Sequence, residues 1–285
     1  MSDDIARDEL VVDKPGAEDV HLYSVTTILK AASGNEGLVY WAAEETAKAA
    51  VSSMKTLHAI IEEQGEDAAV EWLKGARFRA PKGQRTATEL GSAVHAWCEE
   101  YALTGQRPPC DDELKPFCDQ FDKWAQDFQP EYLAAEMTVF HPDYGYAGTL
   151  DAVLALQKVP LVTDYKVSRK TKTGAGKDTT PFPTVAEQLA AYRNAQFAAA
   201  WRPRRFEVFR RRYYALGPDE RALAVPVPNV EGGLCIHITP EWCRAFPVAC
   251  GPEIFEAFCY SIEAARWDIE TSKRVFGEPL VPVAA

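Results

Sequence analysis

The chain has 285 residues, of which 47% are hydrophobic, 26% charged and 11% aromatic, the proportions of an ordinary folded protein. They exclude a disordered chain, a collagen and a small disulfide-rich scaffold. The 31 Lys and Arg against 42 Asp and Glu leave a net charge of -11, which argues against a general affinity for phosphate backbones. No apolar run is long enough to span a membrane, and the acidic N-terminus lacks a signal-peptide pattern, so we expect a cytoplasmic protein with no membrane partner.

The first half of the chain carries helical signals. Hydrophobic spacing predicts short helices from about residue 24 to 74, with Ser24 as a candidate N-cap. A longer helix is predicted over 85–103, before Thr-Gly, and another over 111–128, before Pro130.

The hydrophobic pattern then changes from helical spacing to alternation. Between residues 132 and 167, three apolar runs are separated by turn sequences and predict antiparallel strands. The elements predicted after them are a loop rich in Gly, Lys and Thr over 168–183, a helix over 184–200, a strand over 206–216 and a C-terminal helix over 240–272. The order α, β, then αβα predicts an α/β protein.

Seven cysteines form an odd set without a C-x-x-C pair, and in a cytoplasmic chain they are most simply buried small hydrophobes. An iron-sulfur or zinc site is the alternative. It is not expected, because the spacings of the last four cysteines fit no common ligand pattern. These four are Cys235, Cys243, Cys250 and Cys259.

The three predicted strands align acidic residues. If the first turn is centred between residues 143 and 144, Glu136 faces Asp151, and if the second is centred between 157 and 158, Asp151 faces Asp164. Side-chain alternation then places these three acids and Lys166 on one face of the sheet. The apolar residues expected on the other face are Met137, Val139, Leu150, Ala152, Leu154, Leu161, Tyr165 and Val167.

Carboxylates that lie side by side in a sheet repel one another unless a cation sits between them. Such oxygen-rich sites suit Mg²⁺ or Mn²⁺. Lys166, two residues beyond Asp164, is placed to orient an attacking water or to stabilise charge on a phosphate. A solvated sheet face is the alternative interpretation of the same acids.

These residues carry a family resemblance. The strings Gly148-Thr149-Leu150-Asp151 and Asp164-Tyr165-Lys166 resemble the G-x-x-D and D-x-K core of the PD-(D/E)xK nucleases, in the RecB-like and phage-type exonuclease branch. The flanking strings that resemble further motifs of this branch are Gly91 to His95, Gln188 to Tyr192 and Tyr23 to Leu29. A lone histidine such as His95 is otherwise more often a core or surface residue. Gly91, one turn before it, is expected to allow close approach of the helix to the sheet.

The resemblance implies a restriction-endonuclease-like α/β core, with a mixed central sheet flanked by helices and helical additions at both termini. The implied division is an acidic tail over 1–22, a nuclease domain with an N-terminal helical part over 23–217, and a helical extension over 218–285 packed on the same domain.

The resemblance also implies the chemistry: a Mg²⁺- or Mn²⁺-dependent DNA exonuclease in phage or bacterial recombination, repair or replication. One or two ions would be held by His95, Asp151, Asp164 and the backbone carbonyl of Tyr165. Glu136 would lie nearby, and Lys166 would position or help deprotonate the attacking water. The pair Gln188 and Tyr192 would contact the substrate or orient the site.

Two basic segments flank the proposed site and bear on the partner. The first contains Arg169, Lys170 and Lys172, and the second, over 202–212, contains six arginines against one glutamate, with aromatic residues between them. This pattern suits DNA ends, single- or double-stranded. Alternating charges on an exposed strand are the alternative interpretation of the second segment. DNA binding is then expected to be confined to one channel and to be weak without divalent metal.

Other candidate partners are a single-strand annealing or recombinase protein and a second copy of the chain, in the bacterial host cytoplasm if the protein is phage-encoded. Two alternative functions stay open. A catalytically silent nuclease fold would serve as a DNA-binding or scaffold module, and a glycosidase would use paired carboxylates about 5 Å apart as a retaining enzyme does.

Overall fold

The computed structural model describes residues 9–12, 20–32, 36–76, 83–141, 143–169, 171, 179–199, 224–225 and 227–277. The strand predicted over 206–216, the arginine-rich segment 202–212, and the two candidate DNA-binding residues Lys170 and Lys172 lie outside these residues.

The predicted helices of the first half are confirmed. The short ones are α1 (Val25–Ala32), α2 (Glu36–Ser52), α3 (Met54–Gln64) and α4 (Glu66–Lys74). The long helix α5 (Ala87–Thr104) begins with a capping box formed by Thr86 and Glu89. Helix α6 (Lys115–Phe128) begins four residues later than predicted, because the Asp111 side chain accepts the backbone N–H groups of Glu113 and Leu114 and forms a turn there.

The three predicted antiparallel strands are confirmed as β3 (Glu131–His141), β4 (Tyr146–Leu156) and β5 (Val159–Val167). Both predicted registers are confirmed as well, since Met137 pairs with Leu150 and Ala152 pairs with Thr163. The second turn consists of Gln157 and Lys158, whose φ angles of 51° and 71° are those of a two-residue hairpin turn. This turn geometry pins the β4–β5 register.

The sheet also contains strands that sequence patterns did not predict. Its order in the described residues is β7-β6-β3-β4-β5-β8-β9, and β1 joins through β2, which pairs with β4. The added strands are β1 (Glu9–Val12), β2 (Val20–Ser24), β6 (Phe197–Ala199), β7 (Ala224–Val225), β8 (Gly232–Ile238) and β9 (Cys243–Val248). Helix α7 (Thr184–Arg193) ends earlier than predicted because β6 follows it.

The C-terminal part is not wholly helical, so the helix predicted over 240–272 is wrong in its first third. Strand β8 pairs in parallel with β5, and β9 returns antiparallel to it, before α8 begins (Pro252–Arg266). A π-helix (Trp267–Thr271) and a 3-10 turn (Ser272–Arg274) follow. The apolar run of β8 between glycines and Pro240 has the pattern of a strand buried on both faces. The proposed division of the chain at residues 217 and 218 stays a prediction.

Two hydrophobic cores cover the two faces of the sheet. The first packs β3, β4 and β8 against α1, α7 and α8, and the second packs β4, β5 and β8 against α5 and α6. The single apolar face predicted from alternation is therefore wrong: Met137 and Leu150 lie in the first core, whereas Ala152 and Tyr165 lie in the second. The alternation is interrupted at Asp151 of β4 and at the opposite residue Glu136, whose φ is 46°.

The architecture is thus α/β, with a mixed, open central sheet flanked by helices. Within the described part of the chain, no helix combines the length and apolar character that a membrane crossing requires.

Candidate metal centre

The candidate site lies at a gap in the sheet. One edge of β4 pairs with β3 along most of its length. The other edge pairs with β2 at Tyr146 and Ala147, and with β5 only from Ala152 to Leu156. No strand among the described residues pairs with the segment from Gly148 to Asp151 on this edge. Asp151 and Asp164 therefore lie where β4 and β5 separate.

Asp151 holds the two sides of this gap together. Its Oδ2 accepts the backbone N–H of Tyr165 at 2.6 Å, and its Oδ1 lies 3.2 Å from Nδ1 of His95. Burial alone would raise the pKa of Asp151, but the neighbouring imidazole and the Tyr165 N–H outweigh it and lower the pKa. Asp151 is therefore an ionised acceptor.

His95 reaches the gap from α5, as predicted. Its ring also makes an edge contact with Tyr165, with ring centroids 5.8 Å apart. Burial would lower the pKa of His95, yet the charge of Asp151 and its hydrogen bond raise the pKa to about 9. In the metal-free protein His95 is thus a cation at neutral pH. A metal ion that bound the imidazole would have to replace its proton.

Glu136 completes a group of three ligand-bearing side chains. One ligand atom from each of His95, Glu136 and Asp151 lies within 4.8 Å of the others, and no other such group occurs among the residues that the structure describes. Glu136 occupies a left-handed conformation in β3, between the paired residues Ala135 and Met137. This local break in the strand turns its side chain toward Asp151, the residue that the predicted register placed opposite.

Asp164 and Lys166 face helix α7. They therefore lie beside the gap on the side of the sheet that the first core covers. Nζ of Lys166 forms an ion pair with Oδ2 of Asp164 at 2.7 Å, and no other group of the described residues bonds to this buried oxygen. Burial and the charge of Asp151 raise the pKa of Asp164 to about 6. Asp164 thus lies beside the group of three and is not part of it, and its predicted role as a metal ligand with His95 and Asp151 stays a prediction.

The ammonium of Lys166 is kept charged. Burial would lower its pKa, but Asp164 and Asp151 raise the pKa above the ordinary lysine value. Of the two roles expected for Lys166, orienting a water or stabilising negative charge fits this state better than removing a proton.

The predicted pair on α7 is brought to the same place. The amide of Gln188 donates from Nε2 to Oδ1 of Asp164 at 2.8 Å, while its Oε1 accepts from Lys166 at 3.3 Å. Its Nε2 also donates to the Tyr192 hydroxyl at 3.1 Å. Because Tyr192 is only 2% exposed, its position fits orienting Gln188 better than touching a substrate.

Gly148 makes room for this arrangement. A Cβ atom there would lie 2.7 Å from Cε1 of Tyr192 and 3.3 Å from Cγ2 of Val25. The glycine of the G-x-x-D string thus serves the packing of the Tyr192 ring. At Gly91, by contrast, a Cβ would meet nothing within 4 Å, so the expected close approach of α5 to the sheet does not occur there.

Tyr165 and Arg169 have structural contacts of their own. The Tyr165 ring is buried in the second core, and its N–H is bound to Asp151, while the metal-binding role of its carbonyl stays a prediction. Nη2 of Arg169 donates to Glu113 at 2.6 Å and to the carbonyl of Arg85 at 2.9 Å. This nitrogen is used within the protein, and contact of Arg169 with DNA stays a prediction.

Sequence patterns missed one residue beside the site. His237 of β8 pairs with Lys166 in the parallel register, is 4% exposed, and its Nδ1 has no hydrogen-bond partner in the described residues. Burial lowers its pKa, so its imidazole is neutral. The only sequence signal was its place in the apolar run of β8, which indicates a core strand and not a site.

All seven cysteines are free, and Cys98, Cys118, Cys235 and Cys250 are buried. Cys235 and Cys250 pack in the first core, whereas Cys243 packs against the second, on the other side of the sheet. The last four cysteines are thus divided between two faces.

Comparisons with known proteins add little to this geometry. No family model matches the sequence, and no curated protein matches it significantly. A solved structure, described as the crystal structure of SSO0001, aligns with 90% of this chain and 78% of its own at 13% identity, with a TM-score of 0.34. A likeness this low carries no argument about fold or function.

Proposed function

We propose that the protein is a Mg²⁺- or Mn²⁺-dependent deoxyribonuclease, and more specifically an exonuclease of the PD-(D/E)xK type acting in phage or bacterial DNA recombination, repair or replication. One observation carries the proposal: His95, Glu136 and Asp151 present ligand atoms within 4.8 Å of one another at a gap in the sheet, and the Lys166–Asp164 pair adjoins this gap.

The donor set fits a divalent ion. Two carboxylates and one imidazole of the group of three offer hard oxygen ligands with a single nitrogen, which suits Mn²⁺ and, through the oxygens, Mg²⁺. Oδ2 of Asp164 is paired with Lys166 at 2.7 Å, and a carboxylate oxygen in such a pair keeps a further lone pair for a nearby ion. When bound, the ion would supply positive charge to the phosphate oxygens and make water a stronger nucleophile.

The protein's own groups would do the rest. Lys166, held by Asp164 and Gln188, would orient the attacking water or stabilise charge that develops on the phosphate. Asp151 would hold the imidazole of His95 toward the gap through the 3.2 Å contact. The Tyr165 ring, buried against His95, would limit water access from the second core.

The substrate proposed is DNA, entering beside the basic segment that follows β5. The net charge of -11 disfavours binding elsewhere on the surface. Arg169 keeps donors beyond the one nitrogen bound to Glu113 and is 35% exposed, which leaves it able to meet a phosphate. DNA affinity should therefore depend on both salt and divalent metal.

The test is digestion of 5'- and 3'-labelled linear, circular and single-stranded DNA with Mg²⁺ or Mn²⁺ supplied one at a time. Release of nucleotides from linear ends is expected, and intact DNA in every reaction would contradict the proposal. Lys166→Ala should abolish cleavage while DNA binding is largely kept. A matched control is Lys123→Ala, which removes an exposed lysine paired with Asp127 on α6 and should cleave normally.

Calorimetric titration with Mn²⁺ separates an enzyme from a silent scaffold of the same fold. The proposal expects stoichiometric binding that is lost in Asp151→Asn. A protein that binds DNA but shows no such Mn²⁺ binding would instead be a scaffold.

A further inference from the structure

Glu113 lies where the start of α5, the turn before α6 and the end of β5 meet. It belongs to the turn before α6, and its side chain is 20% exposed. Its Oε1 accepts the backbone N–H of Arg85 at 2.9 Å and Nη2 of Arg169 at 2.6 Å, while its Oε2 accepts Nη1 of Arg85 at 2.9 Å. One carboxylate thus receives three charge-assisted or backbone hydrogen bonds.

The two arginines bound to Glu113 lie at the ends of elements that carry site residues. Arg85 directly precedes Thr86, the N-cap of α5, and this helix carries His95. Arg169 follows the last residue of β5, Val167, by two positions, and this strand carries Asp164 and Lys166. Glu113 therefore ties the start of the helix that supplies His95 to the end of the strand that supplies the adjoining pair Asp164 and Lys166.

A direct contact between the arginines strengthens this tie. Nη2 of Arg169 donates to the backbone carbonyl of Arg85 at 2.9 Å. The residues before α5 and after β5 are therefore in contact independently of Glu113. The Arg85 guanidinium is also bound by Asp111, through Nη2 to Oδ2 at 2.6 Å. Two cations, Arg85 and Arg169, thus face two anions, Asp111 and Glu113.

The direction of α5 matters because His95 is the single site residue that the helix contributes. The Nδ1 to Oδ1 distance of 3.2 Å between His95 and Asp151 depends on how the helix lies over the sheet. A shift at the first turn of a rigid helix is carried along its axis to position 95.

We propose that Glu113 is a positioning residue: by binding Arg85 and Arg169 it fixes α5 against the end of β5 and so sets the placement of His95 for metal binding. This inference rests on the proposed metal centre. No sequence motif marks Glu113, since its partners are 28 and 56 residues away in the chain.

The experiment is calorimetric titration of the full chain with Mn²⁺ at a temperature where every variant is folded. In Glu113→Ala the Mn²⁺ Kd should rise by about tenfold, as for other residues that orient metal ligands, and in Glu113→Gln by less, because one acceptor oxygen remains. Arg169→Gln should weaken binding similarly, and the double variant Glu113→Ala/Arg169→Gln should be little weaker than either single one.

Asp119→Asn is the matched control, since Asp119 also lies near the start of α6 and pairs with a lysine and an arginine, but not with α5 or β5. It should leave the Mn²⁺ Kd unchanged even if urea unfolding shows lower stability. An unchanged Kd in Glu113→Ala, or fully additive losses in the double variant, would overturn this inference while leaving the metal centre intact. Absence of Mn²⁺ binding by the wild type would overturn both.

Discussion

A hydrogen bond joins Asp151 and Tyr165 across the point where β4 and β5 separate, with the Tyr165 N–H 2.6 Å from Oδ2 of Asp151. The last backbone pair of this ladder is Ala152 with Thr163. The Asp151 carboxylate therefore accepts the Tyr165 N–H, which lies beyond the last backbone pair of β4 and β5. Its other oxygen, Oδ1, contacts His95.

Replacing Asp151 by Asn should destabilise the metal-free protein by about 1–3 kcal/mol, because a buried N–H and a charged imidazole lose an ionised acceptor. Urea unfolding at pH 7 measures the change. Asp127→Asn, which removes an exposed acid of α6, should leave the free energy of unfolding nearly unchanged. Equal stability of wild type and Asp151→Asn would show that the contacts of this carboxylate contribute nothing.

Asp164 should behave in the opposite way. It is 2% exposed, and burial raises its pKa to about 6 even though Lys166 lies 2.7 Å from its Oδ2, so the ionised form is held in the fold at a cost. Asp164→Asn is therefore expected to raise the free energy of unfolding of the metal-free protein at pH 7 while weakening Mn²⁺ binding. A loss of stability would mean that the pairing with Lys166 outweighs the cost of burial.

The pH dependence of stability follows from His95. Because its folded pKa, about 9, lies above the ordinary value of 6.5, its contribution is fully present below about pH 6.5 and is lost as pH rises through 9. The thermal midpoint of the metal-free wild type should fall between pH 7 and 9.5. In His95→Gln this part of the decline should be absent, and parallel curves for the two proteins would refute the assignment.

Two glycines offer a paired test of the packing around Tyr192. Gly148→Ala should cost about 1–3 kcal/mol, since the added methyl would lie 2.7 Å from the Tyr192 ring, and the displaced ring should also lower cleavage through Gln188. Gly91→Ala meets open space in a helix and should stabilise the protein by about 0.5–1 kcal/mol. Urea unfolding and DNA digestion of both variants check this, and a harmless Gly148→Ala would contradict the role given to the glycine.

The sequence alone determined the local features of this protein. The turn at Gln157 and Lys158 specified the pairing of β4 with β5, because a two-residue hairpin turn leaves only one register. Helical spacing and caps located α5, and strand pairing about the two turns indicated which acids would lie near one another.

The tertiary structure decided what depends on distant parts of the chain. Strand β8 lies beside β5 although Cys235 is far from Asp164 in sequence, and such parallel pairing leaves no turn to mark it. The alternation is interrupted at Asp151 and at Glu136, whose conformation is left-handed, so the apolar residues divide between two cores, and strict periodicity predicts no such break. The gap at Asp151 and the contacts of Glu113 also depend on tertiary packing. Each brings together residues that are far apart in the chain, and no local sequence pattern relates them.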